Sequence, residues 1–261
     1  PITLPLTSKE QFVEEFFKGF TSNTKLIFIS HLTSSTGLRL PVEEIIAKAK
    51  ELGVMTFIDG AHGPAQVYVD LQKIGADIYT GACHKWMMTP KGSSFLYVRR
   101  EFQHLFDPLI VSWGYNALFP SQSQFLDYHQ MNGTRDFSAF LTIPDAIAFM
   151  NEHDWVRVAA HYRKLVQQNA EPFCKLFHSK PLAPVNDNFI AQLLSCEIKT
   201  KEPEQLQKVL FNEYKIEIPV MRHGSKVYLR YSMNAFNSKE DLDKLFAAIK
   251  DIQKKTTLIE S

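Results

Sequence analysis

Cysteine is nearly absent from this sequence: three residues in 261, at Cys83, Cys174 and Cys196. The number is odd and the three lie far apart along the chain. Neither a disulfide framework nor a zinc-ligand spacing follows, and a reducing cytoplasm suits such usage. An excess of charge of one sign is also lacking. The formal net charge of +1 leaves no electrostatic footprint for nucleic acid or an anionic membrane surface. No apolar run approaches the ~20 residues of a membrane span, and no signal peptide opens the chain. Glycine is sparse, and it forms neither GxGxxG nor a P-loop after any strand-like run, which disfavours a plain nucleotide-binding α/β domain. Repeats and low-complexity segments are missing. His153 and His161 stand eight apart, which is not metal-ligand spacing.

What is present is an ordinary globular composition, 45% hydrophobic, with length enough for one large core or two smaller ones. The first half alternates helical and strand-like patterns. Phe12, Phe16, Phe17 and Phe20 recur at helical spacing behind a capping Ser8. KLIFIS (25–30) reads as a strand covered on both faces. Pro41 opens a helix that Gly53 ends. VMTFID (54–59), ADIYTGAC (76–83) and SSFLYVRR (93–100) read as further strands. Strand, helix and strand joined by short links indicate α/β and largely parallel pairing. From about 120 the texture turns polar, aromatic and loop-like. Residues 144–178 then read as one long helix. Shorter pieces follow: strands at FIAQLLSCEI, KIEIPV and KVYLRYSM, and helices at EPEQLQKVLFNEY and SKEDLDKLFAAIKDI. The pattern divides into a larger domain over 1–150 and a linking helix with a smaller α/β domain over 151–261.

Two short stretches carry the chemistry. TFIDGAHGPAQ (56–66) ends an apolar run in a lone acid, Asp59. ACHKWMMTPKG (82–92) sets Lys85 between a histidine and a tryptophan. A carboxylate ending a buried strand costs several kcal/mol unless paired, and strand carboxyl ends are where ligands bind in α/β sheets. The plainer reading makes Asp59 the cap of the following turn, at about even odds. A desolvated lysine loses proton affinity and becomes a nucleophile able to form a Schiff base. Taken alone, a lysine snorkelling beside a tryptophan is the commoner case. Together the pair suggests pyridoxal phosphate, which needs a lysine for its aldehyde and a carboxylate for its ring nitrogen. His31 reads equally as a pocket residue or a satisfied core histidine.

The chain resembles the class V aminotransferase family of fold-type I pyridoxal phosphate enzymes, closest to its isopenicillin N epimerase-like branch. The matching stretches are SHLTSSTG (30–37) with LPVEEI, IDGAH (58–62), GADIYTGACHKW (75–86) with PKG, SWG (112–114), NGTRDFS (132–138) and LRYSMNAFNSKEDLDKL (229–245). The resemblance implies a three-layer α/β sandwich with a mostly parallel central sheet and a smaller C-terminal α/β domain. It implies pyridoxal 5'-phosphate as cofactor and an amino acid as substrate. Lys85 would carry the cofactor and shuttle the α-proton, and Asp59 would pair with the ring nitrogen. His62, Thr33 and Ser34 would approach the phenolic side of the ring, and His84 the phosphate or the lysine. Trp113 would line the pocket. Gly133 and Thr134 match a loop that reaches the phosphate site of a neighbouring subunit, implying a homodimer with shared sites. Arg230 would clamp the substrate carboxylate, with Arg222 its rival and Arg135 a more distant one.

Three departures stand out. Ala82 replaces the phosphate-binding serine many relatives carry three before the lysine. MRHGSKVYLRYSMNAF holds no cysteine where desulfurase-type relatives carry a mobile one, which argues against that mechanism. The family's N-terminal phosphate-cradling loop and ring-stacking aromatic have no counterpart, so the chain is expected to begin late. The activity expected is α-carbon chemistry on an amino acid: epimerisation or transamination first, carbon–sulfur β-elimination as the alternative. All can start from the same proton abstraction. Epimerisation needs protonation from both faces, and no second base is identifiable beside Lys85. The competing class of reading is a non-catalytic relative with an incomplete cofactor site.

Overall fold

The computed structural model describes residues 2–130 and 132–260. Four strands form the first sheet: β1 (Leu26–Ser30), β2 (Met55–Asp59), β3 (Ile78–Ala82) and β4 (Ser94–Val98). They lie in the order β1-β2-β3-β4. The first three are parallel, as crossover helices require, and β4 returns antiparallel to β3. Ser30 pairs with Asp59, and Asp59 with Thr80. The carboxyl ends of β1 and β2 are therefore level, β3 runs two residues further, and the loops after all three emerge along one edge.

The helices form where the sequence supplies their ends. In α1 (Lys9–Phe17) the Ser8 hydroxyl accepts the Gln11 N–H at 3.1 Å. α2 (Val42–Glu51) follows Pro41, carries Glu43 and Glu44 in its first turn and Lys48 and Lys50 in its last, and complements its own dipole. Gly53, with φ +67°, turns the chain out of it. α3 (Leu71–Ile74) is a single turn capped by Asp70. The polar stretch after 120, expected as loop, contains α4 (Gln124–Gln130), where Phe125 finds a buried seat beside Ile78 and Val98. α5 (Ser138–Leu141) follows.

The single long helix expected over 144–178 is two, α6 (Ile143–Glu152) and α7 (Trp155–Lys175). The break falls at His153 and Asp154, and Asp154 adopts φ +47°, outside the right-handed helical region. The second sheet is antiparallel, ordered β5-β7-β6 from β5 (Leu193–Ile198), β6 (Val220–His223) and β7 (Lys226–Ser232). KIEIPV was expected to be strand throughout, yet pairing starts only at Val220, after Pro219. α8 (Pro203–Tyr214) and α9 (Lys239–Lys255) complete this half. α9 opens with the Ser238–Asp241 capping box.

One apolar core runs through both halves, from Ile27, Ile29, Ile45 and Ile58 to Val166, Phe173, Leu194, Leu229 and Ile249. The proposed division at residue 150 separates two sheets built on this shared core. β1 is covered on one face only: Ile27 and Ile29 are buried, but Phe28 is 60% exposed and Leu26 47%. The apolar run was read as covered on both sides. Among the described residues little packs on the second face of this edge strand.

Candidate active site

Asp59 closes β2, and its side chain lies on the same sheet face as Phe28 and Phe57. One carboxylate oxygen accepts the Ala61 N–H at 2.9 Å. The capping role weighed for this acid is therefore real, and it holds the carboxylate at the end of the strand. The turn that follows is sterically exacting. A Cβ on Gly60 would sit 2.1 Å from the Tyr79 ring, and one on Gly63 2.4 Å from its hydroxyl oxygen. Tyr79 is fully buried, and its hydroxyl lies 3.1 Å from His31 Nδ1. His31 thus lies in the core, fully buried, with proton affinity lowered to about 3, chiefly by burial.

Lys85 leaves the end of β3 and is more exposed than its apolar neighbours implied. Its proton affinity is nevertheless lowered. Burial is the largest cause; the Asp59 carboxylate opposes it and the Arg230 guanidinium reinforces it. These influences place Asp59, Lys85 and Arg230 within one electrostatic neighbourhood. Lys85 Nζ is 3.3 Å from His62 Nε2, and the Trp86 indole N–H donates to His62 Nδ1 at 3.2 Å. Burial, then Lys85, then Arg230, push the His62 imidazole down to about 3. His84 turns the other way, and its Nδ1–H donates to the Ser93 carbonyl at 2.8 Å.

Arg230 lies on β7, in the second sheet, yet it reaches the loop after β1. Its Nη1 donates to the Ser34 carbonyl at 2.6 Å and to the Ser34 hydroxyl at 3.0 Å. Its Nε is buried with no acceptor among the described residues. A buried guanidinium N–H without an acceptor is uncommon, and it marks this arginine as one whose hydrogen bonding is incomplete. Ser34 was expected near a cofactor ring; here it holds this arginine. Thr33 spends its hydroxyl on Thr36 and on the Leu38 backbone.

The remaining expected residues are not brought in. Arg222 donates to the Lys201 carbonyl at 3.0 Å and faces Glu204, away from Ser34. Arg135 stacks over Phe137 and Phe140. Trp113 is 80% exposed. Gly133 has φ +113°, and Thr134 is exposed beside it. Sequence reasoning passed over Trp86 and Gln66. The Gln66 amide donates to the His62 carbonyl at 2.9 Å, and its oxygen accepts the Gln192 N–H at 2.9 Å. A glutamine closing the otherwise small and apolar GAHGPAQ was the available signal. A concavity of about 510 Å³ lies elsewhere, between the 64–71 loop and the start of α7.

Parallel strands followed by an acid and an amine, faced by an arginine from a second sheet, define the class: the fold-type I architecture of pyridoxal phosphate-dependent proteins. The chain belongs to the class-V aminotransferase family, whose model matches residues 3–245. It is 28% identical over 96% of its length to isopenicillin N epimerase from Amycolatopsis lactamdurans, covering 65% of that protein. It is also 28% identical over 95% of its length to a putative L-cysteine desulfhydrase 1 of Oryza sativa subsp. japonica, covering 57% of it. The cysteine desulfurase CsdA from Escherichia coli superposes with a TM-score of 0.79 at 19% identity, over 94% of this chain and 63% of that one. The chain thus spans about three fifths of the length of these proteins.

The residues present fit the family's cofactor. Asp59 offers a carboxylate at a strand end, Lys85 an amine of lowered proton affinity, and Arg230 an orphaned buried donor. Among the described residues no cluster of metal-ligating side chains accompanies them, and the three cysteines are buried and unbridged.

Proposed function

We propose that this chain performs pyridoxal phosphate-dependent chemistry at the α-carbon of an amino acid. The observation that supports it is the convergence of Asp59, Lys85 and the Ser34-held Arg230 at one edge of the first sheet. When bound, the cofactor supplies an electron sink that stabilises a carbanion at the substrate's α-carbon. Lys85 Nζ would hold the cofactor, and its amine would take and return the α-proton. Its lowered proton affinity keeps more of the amine neutral than an exposed lysine would. The Asp59 carboxylate, fixed by the Ala61 N–H, would hold a proton on the ring nitrogen. Arg230 would pair its guanidinium with the substrate carboxylate while Ser34 fixes its Nη1. His62 would approach the phenolic side of the ring, and His84, anchored on the Ser93 carbonyl, would help hold the phosphate or the lysine.

The resemblance to isopenicillin N epimerase makes epimerase or class V aminotransferase the first reading. A carbon–sulfur lyase is the second. It is favoured by the desulfhydrase relative and by His62, whose proton affinity is too low for it to serve as a second base. Trp113 and Thr134, exposed, and the half-buried Gly133 suit a second copy of the chain whose site they would complete. No helix among the described residues is long and apolar enough to cross a membrane, and a cytoplasmic setting is part of the proposal.

Titration with pyridoxal phosphate tests the reading. A saturable visible absorbance, followed by α-proton exchange in heavy water with some member of a D- and L-amino-acid panel, is expected. Absence of any saturable change, in this chain and in a longer form extended to the relatives' length, would sink the proposal and favour a non-catalytic relative.

A further inference from the structure

We infer that Trp86 fixes the tautomer of His62, and that Lys85 is thereby the acceptor at the end of a one-way line of hydrogen-bond donors. An indole nitrogen carries a hydrogen and no available lone pair, so it can only donate. Trp86 is 7% exposed, and its Nε1 lies 3.2 Å from His62 Nδ1. That nitrogen must supply the lone pair. A neutral imidazole with Nδ1 accepting carries its hydrogen on Nε2. The surroundings of the ring keep it neutral: it is desolvated, and the Arg230 guanidinium repels a proton from it. The ring cannot swing away easily, because Gln66 Nε2 holds the His62 carbonyl and Gln66 is itself held by the Gln192 backbone.

The Nε2–H therefore points at the atom 3.3 Å away, Lys85 Nζ. An ammonium there would set two donors face to face. A neutral amine accepts the hydrogen with its lone pair. Asp59 pulls the amine towards protonation, and burial and Arg230 pull the other way with the larger sum. Trp86 is in this sense a positioning residue: it acts on Lys85 through His62.

A second consequence rests on the proposed function. With Nδ1 occupied by Trp86 and Nε2 carrying hydrogen, His62 has no lone pair with which to take a proton from a substrate. Lys85 is then the one identified base of the site. A single base returns a proton to the face it came from, so among the proposed readings the arrangement favours transamination or elimination of a β-substituent, which need no second base, over epimerisation.

The experiment uses the whole chain without cofactor, labelled with ¹⁵N at histidine. Long-range ¹H–¹⁵N correlation reads which ring nitrogen is protonated, and loss of one pattern in His62→Gln assigns His62. The expected wild-type pattern is Nε2–H, persisting to well below the ordinary histidine range. Trp86→Phe keeps the aromatic bulk and removes the N–H. It should give a mixed or Nδ1–H tautomer and raise the His62 titration by about one pH unit or more. His84, whose Nδ1–H is held by the Ser93 carbonyl, reports that the variant is folded. Trp86→Tyr serves if the phenylalanine variant does not fold. A wild-type Nδ1–H tautomer overturns the inference whatever the variants do. So does an unchanged Nε2–H pattern in a folded Trp86 variant. The readout needs no cofactor, so a failed pyridoxal phosphate titration and a failed tautomer assignment remain separate results.

Discussion

Two regions of this molecule were assigned parts of one site, and they are built in opposite ways. At the ends of β1, β2, β3 and β7, every chemical side chain is held by something else. Asp59 is fixed by the Ala61 N–H, His62 by Trp86, and Arg230 by Ser34. The segment from 105 to 137 has the reverse character. Leu109, Leu118 and Phe119 are almost wholly exposed, Trp113 is 80% exposed, and Arg135 lies over its own neighbours Phe137 and Phe140. The first region is organised by contacts within the chain. The second presents apolar surface that only a further surface could bury, and such patches mark interaction sites. A site can therefore be half fixed by its own fold and half dependent on assembly.

Substitutions test that contrast from its strongest point outward. Lys85→Ala should abolish the borohydride-stable adduct with pyridoxal phosphate completely, read by mass spectrometry. An adduct that persists on another lysine would move the centre of the site. Gly60→Ala should destabilise the chain by about 3 kcal/mol or more, because the new Cβ meets the Tyr79 ring rather than a flexible chain end. Urea unfolding measures this, and a neutral outcome would mean that the inner region is less rigid than described. Arg230→Gln should weaken binding of an amino-acid carboxylate by roughly 10- to 100-fold, from the ~1.5–3 kcal/mol of a charge-assisted hydrogen bond. Calorimetry on the cofactor-loaded protein would show it.

The pH dependence follows from His31 and His62, both held near 3 against an ordinary 6.5. Their neutral forms are favoured by folding, so the stability is full above about 6.5. It falls as pH drops from there towards 3, by up to about 1.4 kcal/mol per pH unit for each ring. A urea midpoint flat between pH 7 and 4 would contradict this, and His62→Gln should remove part of the slope. The smallest effect belongs to the outer segment. Trp113→Ala should change the stability of the dilute chain by less than about 0.5 kcal/mol. A loss above 1 kcal/mol in dilute solution would erase the difference between the regions.

Local signals were readable in the sequence. Ser8 and Ser238 cap the helices they were expected to cap, and Gly53 takes the left-handed turn that ends α2. The acid and the lysine stood out because neither belonged in its surroundings. What the sequence could not show was who holds whom. Ser34 and Arg230 are 196 positions apart, and their bond depends on how the second sheet docks onto the first. Trp86 was visible beside the lysine, but its N–H acquires meaning only when the turn after β2 carries His62 back to it. Phe28 was misread because an apolar run looks the same whether one face or two are covered. The 144–178 periodicity likewise gave no warning of the break at Asp154.

Tyr79 ties four positions together. Its ring leaves no room for a side chain at 60 or 63, and its hydroxyl faces His31 Nδ1. A relative that carries alanine or serine at 60 must therefore have replaced the tyrosine with something smaller, and must have found His31 another partner or lost it. Positions 31, 60, 63 and 79 should thus drift through descent as a single inherited unit. An alignment in which they vary independently would show that this fold has more than one way to build the turn beneath its acid.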